Sequence, residues 1–266
     1  MKYIYPKLPG VYTFPFFRIG GNGLANCLFV YAKAVVIAHH YGAKIIRPTW
    51  FNMSLGTYVR KEKDKRHYSN LMTSQGELKG LKRLCTLLLK HKTTSEETFA
   101  NDQCNILVVE GIYDFFKPLL AHQNLVSDYI KSHINPSLLA DVNKFDFNGC
   151  VAIHVRLGDF SMERRIPIKW YIEKIKELNN YNRFLLFSDG SDEELQELLN
   201  IQGVQRVYFG GAIQDIVAIS RCSYLIGSDS SFSAWGAFLG QVPCTFYRLQ
   251  FGQLLLDPNK QQIENK

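Results

Sequence analysis

The chain has 266 residues, 46% of them hydrophobic and 21% charged, with 19 Gly and 9 Pro. That balance excludes a collagen, a coiled coil and a disordered tail, and the length suits two domains of about 100–150 residues or one large one. Lys and Arg outnumber Asp and Glu by 31 to 24, and the resulting +7 favours anionic partners without choosing among phosphates, nucleic acid and acidic lipid.

No stretch reaches the roughly 18 uninterrupted apolar residues that a membrane-spanning helix needs. Pro6 and Pro9 interrupt the N-terminus before a signal-peptide core can form. An aromatic run over 12–17 leads into Gly20-Gly21-Asn22-Gly23. Leu24, Cys27, Leu28, Tyr31, Val35 and Ala38 then recur at helical spacing, predicting a helix over 24–41 that Gly42 stops and a short strand over 43–47. The charge run 60–66 reads as a solvated loop, 78–89 as an amphipathic basic helix and 106–110 as a strand.

From residue 150 the pattern becomes regular. Strands over 150–155, 183–187, 204–208, 223–226 and 244–247 alternate with helices over 169–178, 191–199, 213–220 and 231–239. Ser191 and Glu194 have capping-box spacing. Such alternation predicts a parallel sheet with helices on both faces. The turn signal Asn148-Gly149 divides the chain into 1–148 and 149–266. The expected architecture is therefore α/β, two lobes with a cleft, the second a doubly wound Rossmann-like sheet. Cysteines at 27, 85, 104, 150, 222 and 244 stand singly, without a C-x-x-C pair, as expected of reduced thiols in a cytoplasmic protein.

Ligands of open α/β sheets sit beyond the carboxyl ends of the strands, which singles out four segments. In the segment 150–159, alternation places His154 and Arg156 on one face, and a guanidinium fork suits a diphosphate. Gly158 permits a tight turn before Asp159; the competing reading is an Arg–Asp surface pair. Between 228 and 233 stand four serines, Ser228, Ser230, Ser231 and Ser233, at the start of a helix. They suit an anion site, although the same residues serve as ordinary helix caps. The glycine-rich segment 20–26 has neither a P-loop nor a dinucleotide fingerprint and reads alone as a flexible connection. Asp215 opens a helix, where a carboxylate either accepts both N1–H and N2–H of guanine or simply complements the helix dipole. H-E-x-x-H, G-x-S-x-G and Asp-x-Asp are absent, and the adjacent His39 and His40 face apart.

Together these segments resemble the α1,2-fucosyltransferases, glycosyltransferase family 11. That family carries G-G-x-G-N-Q-x-F-x-Y-A, H-x-R-x-G-D, F-S-D and N-S-S-F-S-x-W-G, matched here by 20–32, 154–159, 187–189 and 230–236. Cys27 replaces a Gln, Leu157 an Arg, Asp229 an Asn and Ala234 a Trp, departures that bear on acceptor and linkage more than on donor.

The resemblance implies a GT-B fold whose C-terminal lobe binds GDP-L-fucose. His154 and Asp215 would hold guanine or its ribose, Arg156 the β-phosphate, and Ser230, Ser231 and Phe232 the diphosphate and base. Gly23 would join the donor site and Asn26 would stand near the transferring sugar, with residues 1–148 facing the acceptor. The implied reaction is inverting transfer of L-fucose from GDP-β-L-fucose, without metal or other cofactor. The acceptor would be the galactose 2-OH of an oligosaccharide or lipid-linked glycan, in bacterial surface polysaccharide such as O-antigen. Arg156, Asn26 and Asp159 are the implied catalytic residues, Asp159 as general base or as the group that orients Arg156. Lys79, Lys82, Arg83 and Lys90 would rest on the inner face of the cytoplasmic membrane. Transfer from another GDP-sugar is the neighbouring alternative. A basic nucleic-acid-binding protein is the alternative from another class, opposed by dispersed Lys and Arg and by the absence of any helix-turn-helix, zinc-finger or RNA-binding signature.

Overall fold

The computed structural model describes residues 1–59, 65–158, 163 and 165–248. Most of the charge run 60–66, and Asp159, lie outside the described residues. The chain forms two compact units, Met1–Leu138 and Leu139–Lys266.

The first unit contains, in order, β1 (Tyr3–Pro6), β2 (Tyr12–Thr13), β3 (Arg18–Ile19), α1 (Leu24–Tyr41), β4 (Lys44–Ile45), β5 (Asn52–Met53), α2 (Leu55–Val59), α3 (Gly80–Leu89), β6 (Lys92–Thr93), α4 (Glu96–Ala100), β7 (Ile106–Val109) and α5 (Gln123–His133). Its main sheet is wholly parallel, in the order β4-β1-β7-β6. A smaller sheet, β2-β3-β5, pairs β3 antiparallel to β2 and parallel to β5. The helix expected over 24–41 forms over those residues because its apolar side chains recur around most of the barrel, and Leu24, Cys27, Leu28, Tyr31 and Val35 are all buried. Gly42 closes it in the left-handed region at φ 57°, where glycine carries no Cβ penalty.

The second unit contains α6 (Ala140–Lys144), β8 (Cys150–Val155), α7 (Ile168–Glu177), β9 (Arg183–Ser188), α8 (Gln196–Leu199), β10 (Val204–Arg206), α9 (Ala212–Ile219), β11 (Tyr224–Gly227), α10 (Ser231–Gly240) and β12 (Cys244–Phe246). Its five strands are all parallel, ordered β10-β9-β8-β11-β12. The chain therefore winds one way from β8 through β9 to β10, then returns to β11 on the other side of β8. Neighbouring crossovers that part in opposite directions leave a crevice at the carboxyl ends of β8 and β11.

All six residues of β8 are buried, as a central strand covered on both faces requires. Val151, Ile153 and Val155 pack with Trp170, Leu186 and Leu198 on one face. On the other, α10 lies close to α9: a Cβ added at Gly236 would stand 2.4 Å from Ile219 Cγ2, so only glycine allows that approach.

Three boundaries differ from the sequence expectation. The units divide at 138/139 rather than 148/149, because α6 packs against α9 and Arg221 donates to the Val142 carbonyl at 3.2 Å. Within the predicted helix 191–199 only Gln196–Leu199 is α-helical. Its capping box nevertheless forms: Glu194 N–H donates to Ser191 Oγ and Ser191 N–H to Glu194 Oε2, at 3.3 and 2.9 Å. The strand expected over 43–47 contracts to Lys44–Ile45. All six cysteines are unpaired, and among the described residues no helix is long and apolar enough to cross a membrane.

Candidate functional site

The crevice at the end of β8 gathers residues from three loops. His154, the fifth residue of the strand, is 5% exposed. Its Nδ1 lies 2.6 Å from Ser233 Oγ and 2.9 Å from Ser228 Oγ, while its ring stacks on Phe232 with centroids 4.7 Å apart. Burial, helped by the Arg156 charge, pushes its pKa down to about 3, against the opposing pull of Asp189. The ring is thus neutral at physiological pH and offers one N–H donor without adding a charge.

Arg156 stands one residue past the strand. Its Nη1 meets Asp189 Oδ2 at 2.7 Å, with both side chains partly exposed. The other oxygen of Asp189 accepts the N–H groups of Leu157 and Gly158 at 2.8 and 3.0 Å. Burial works to raise the Asp189 pKa, but the guanidinium, these two N–H groups and His154 outweigh it and hold the carboxyl below its ordinary value. Gly158 is required for this approach: a Cβ there would lie 2.6 Å from Asp189 Oδ2. The sequence singled out Arg156 and Gly158 in this cluster and did not single out Asp189. Asp189 sits in the F-S-D segment at the end of β9, and the only sequence signal for it was that match.

From β11 the chain turns through Ser228 and Asp229 into α10. Ser230 caps this helix, its Oγ accepting the Phe232 N–H at 3.1 Å. Ser231 and Phe232 follow, both half-buried, in the first turn. Ser228 and Ser233, two of the four serines that the sequence placed in a candidate anion site, are the hydroxyls that bond the imidazole. Asp229 accepts the Arg248 N–H at 3.3 Å. Burial nevertheless pushes its pKa from 3.8 up to about 6, with the Arg248 N–H and guanidinium pulling the other way.

That shift predicts a pH-dependent stability. The folded carboxyl keeps its proton to about pH 6 and the unfolded one only to about 3.8, so stability falls as pH rises through this window and stays lowered above it. At 11% side-chain exposure, a shift of this size costs at most about 3 kcal/mol. Asp229→Asn is expected to raise unfolding free energy by about 1–2 kcal/mol at pH 8 and to leave it unchanged at pH 4. Urea unfolding at the two pH values checks this, and an equal gain at both would place the cause elsewhere.

Asp215, in the first turn of α9, accepts the Phe209 N–H on Oδ1 at 2.8 Å. It thereby anchors the loop ahead of its own helix. Gly23 and Asn26 belong to the first unit. Gly23 caps α1 in extended backbone and its carbonyl accepts the Asn26 N–H at 3.1 Å. The second unit thus brings His154, Arg156, Ser230 and Phe232 together around β8 and α10. Among the described residues no group of three or more His, Cys, Asp or Glu side chains is placed to hold a metal ion.

A crevice at the switch point of a Rossmann-ordered sheet, with a fixed guanidinium, a neutral imidazole and a helix N-terminus, has the donors to hold an anionic group. No protein-family model matches the chain, and no curated protein matches it in sequence. Solved structures do share its fold. NodZ alpha-1,6-fucosyltransferase co-crystallised with GDP matches with a TM-score of 0.57 at 13% identity, covering 91% of this chain and 93% of its own. Arabidopsis thaliana FUT1, as a mutant in complex with GDP, matches at 0.56 and 12% identity over 92% of this chain and 70% of its own. POFUT1 in complex with GDP matches at 0.51 and 10% identity, over 92% and 98%. The α/β fold with parallel sheets is the fold of these fucosyltransferases.

Proposed function

We propose that the chain transfers L-fucose from GDP-β-L-fucose to a glycan hydroxyl, with the second unit as its donor-binding lobe. The observation that carries this reading is Arg156, held by Asp189 at the mouth of the β8–β11 crevice beside neutral His154 and the α10 N-terminus. Neighbours of the same fold bound to GDP support a guanosine diphosphate there.

In the proposed reaction the acceptor oxygen attacks fucose C1 from the face opposite the nucleotide. The bond from C1 to the diphosphate oxygen breaks with its electron pair remaining on GDP, so the configuration inverts. The acceptor proton passes to a base, for which Asp159 is the proposed group. Arg156 and the N–H groups at the start of α10 meet the charge that develops on the leaving diphosphate. Donors so placed are worth about 3–4 kcal/mol each. The guanidinium then fills the role of a divalent cation, and the reaction is proposed to run without metal. Asp215, holding the Phe209 loop, is assigned to guanine together with His154, and Asn26 to the transferring sugar.

The acceptor is assigned to the first unit. There a cleft of about 590 Å³ opens at the carboxyl ends of β1, β7 and β6, lined by Tyr5, Lys7, Thr13, Thr93 and Glu110. Hydroxyl, ammonium and carboxylate groups of this kind hydrogen-bond sugar hydroxyls. Galactose, a 2-OH linkage and a bacterial surface glycan made in the cytoplasm are what the motifs add to this reading.

Calorimetric titration tests the donor assignment directly. GDP is expected to bind and ADP to give no heat; silence toward GDP overturns the reading. Transfer from GDP-fucose to galactosides, with the product linkage read by NMR, is expected to persist in excess EDTA, and strict loss there would remove the metal-free step.

A further inference from the structure

Helix α3 is held to the first unit by one side only. Arg83, expected from the sequence on a solvent-facing basic surface, is instead 6% exposed. Its guanidinium donates to the Arg47 carbonyl, the Pro15 carbonyl and Thr49 Oγ1 at 2.7, 2.6 and 2.7 Å. Three bonds to two separate segments, one at Pro15 and one over Arg47 to Thr49, fix which face of the helix turns inward. The outward face then carries Leu81, Cys85 and Leu88 at i, i+4 and i+7, with Leu89 beside them. Leu81 is 79% exposed and Leu88 and Leu89 are each 81% exposed.

Single exposed leucines are ordinary, but three on one face of a ten-residue helix are not. Their surroundings say what covers them. Residues 78–95 contain five basic side chains and no acidic one. With Arg83 turned inward, Lys79, Lys82 and Lys92 stand exposed at and beyond the helix, and Lys90 is half-buried over the Tyr3 ring at 5.7 Å. An apolar stripe on a helix whose own charged side chains are all cationic is complementary to an anionic bilayer surface, where leucines enter the acyl boundary and lysines meet lipid phosphates. A second copy of the chain would oppose these lysines to their own equivalents across a two-fold contact.

We infer that α3 docks the first unit onto an anionic lipid surface, with Leu81, Leu88 and Leu89 inserted and Lys79, Lys82 and Lys90 on the headgroups. This surface stands independently of the donor assignment, and the two fail separately. The test is co-sedimentation of the whole chain with vesicles of phosphatidylcholine, alone or mixed with phosphatidylglycerol. The native chain is expected to partition onto the mixed vesicles and hardly onto the neutral ones. Leu81→Ser, Leu88→Ser and Leu89→Ser combined are expected to weaken partitioning by about tenfold or more. Lys79→Glu with Lys82→Glu is expected to abolish the preference for the anionic lipid. Because these side chains face solvent, thermal unfolding of each variant, expected to match the native chain, reports an intact first unit. Native protein that ignores mixed vesicles, or a triple-serine variant that binds them equally, overturns the inference. So does a concentration-dependent dimer that the serine changes abolish. A chain that binds vesicles but not GDP counts against the donor assignment alone.

Discussion

Arg156→Ala is expected to lower kcat for fucose transfer by about 10²–10³-fold, the loss typical of removing one preorganised donor from a developing charge. The side chain is partly exposed and its ion pair with Asp189 is open to solvent on one side, so folding stability should drop by only about 1 kcal/mol. Arg156→Lys keeps the charge but replaces a planar fork with a point donor. It should therefore recover GDP affinity better than it recovers kcat. Steady-state kinetics with GDP-fucose, alongside thermal unfolding, separate the two quantities. Native turnover in a folded Arg156→Ala protein would remove this residue from the reaction.

Asp189→Ala carries the second large effect, and it acts through position. The change removes the Asp189 ion pair from the guanidinium and takes the acceptor from the Leu157 and Gly158 N–H groups. Stability is expected to fall by about 1–2 kcal/mol, since the part-buried Leu157 N–H left unmade costs on the order of 1–3 kcal/mol while the exposed Gly158 N–H can turn to water. Transfer should fall by about 10²-fold, because a guanidinium displaced by an ångström no longer meets the leaving oxygen. Asp189→Asn separates the two roles. Its amide oxygen can still accept the backbone N–H groups, so the unfolding temperature should recover most of the way. The charge that orients Arg156 is gone, so kcat should recover much less. If alanine left both temperature and kcat at native values, the pairing would be incidental.

The second unit was legible where the chain repeats itself. Cys150–Val155 is an unbroken buried run, and Ser231–Gly240 follows a serine whose hydroxyl caps it, so both elements stand within a residue of expectation. The first unit was less so. Its parallel sheet includes β6, two residues long. Two residues show no periodicity, and this strand exists because β7 pairs with it. The site divides along the same line. His154 and Arg156 stood out because polar side chains interrupt an apolar strand. Asp189 did not, because it reaches Arg156 across a sheet and not along the chain. Proximity in sequence pointed to Asp159, three positions from Arg156 and outside the described residues, whereas Asp189 reaches the guanidinium from just past the end of the neighbouring strand. Ser233 was read with its neighbours as one of four serines for an anion, because nothing in the sequence tells that its hydroxyl turns to His154 instead. Arg83 misled in the opposite direction: a basic residue on an amphipathic helix reads as solvent-facing until three carbonyl and hydroxyl acceptors are seen around it.

Under the proposed reaction, Arg156 would be shared between a resident carboxylate and a visiting nucleotide, which bears on how a cycle would end. A guanidinium paired with Asp189 would give an arriving diphosphate direction more than full charge. The spent nucleotide would then depart without tearing apart a full ion pair, and weak retention of product would follow from the carboxylate that meets the arginine.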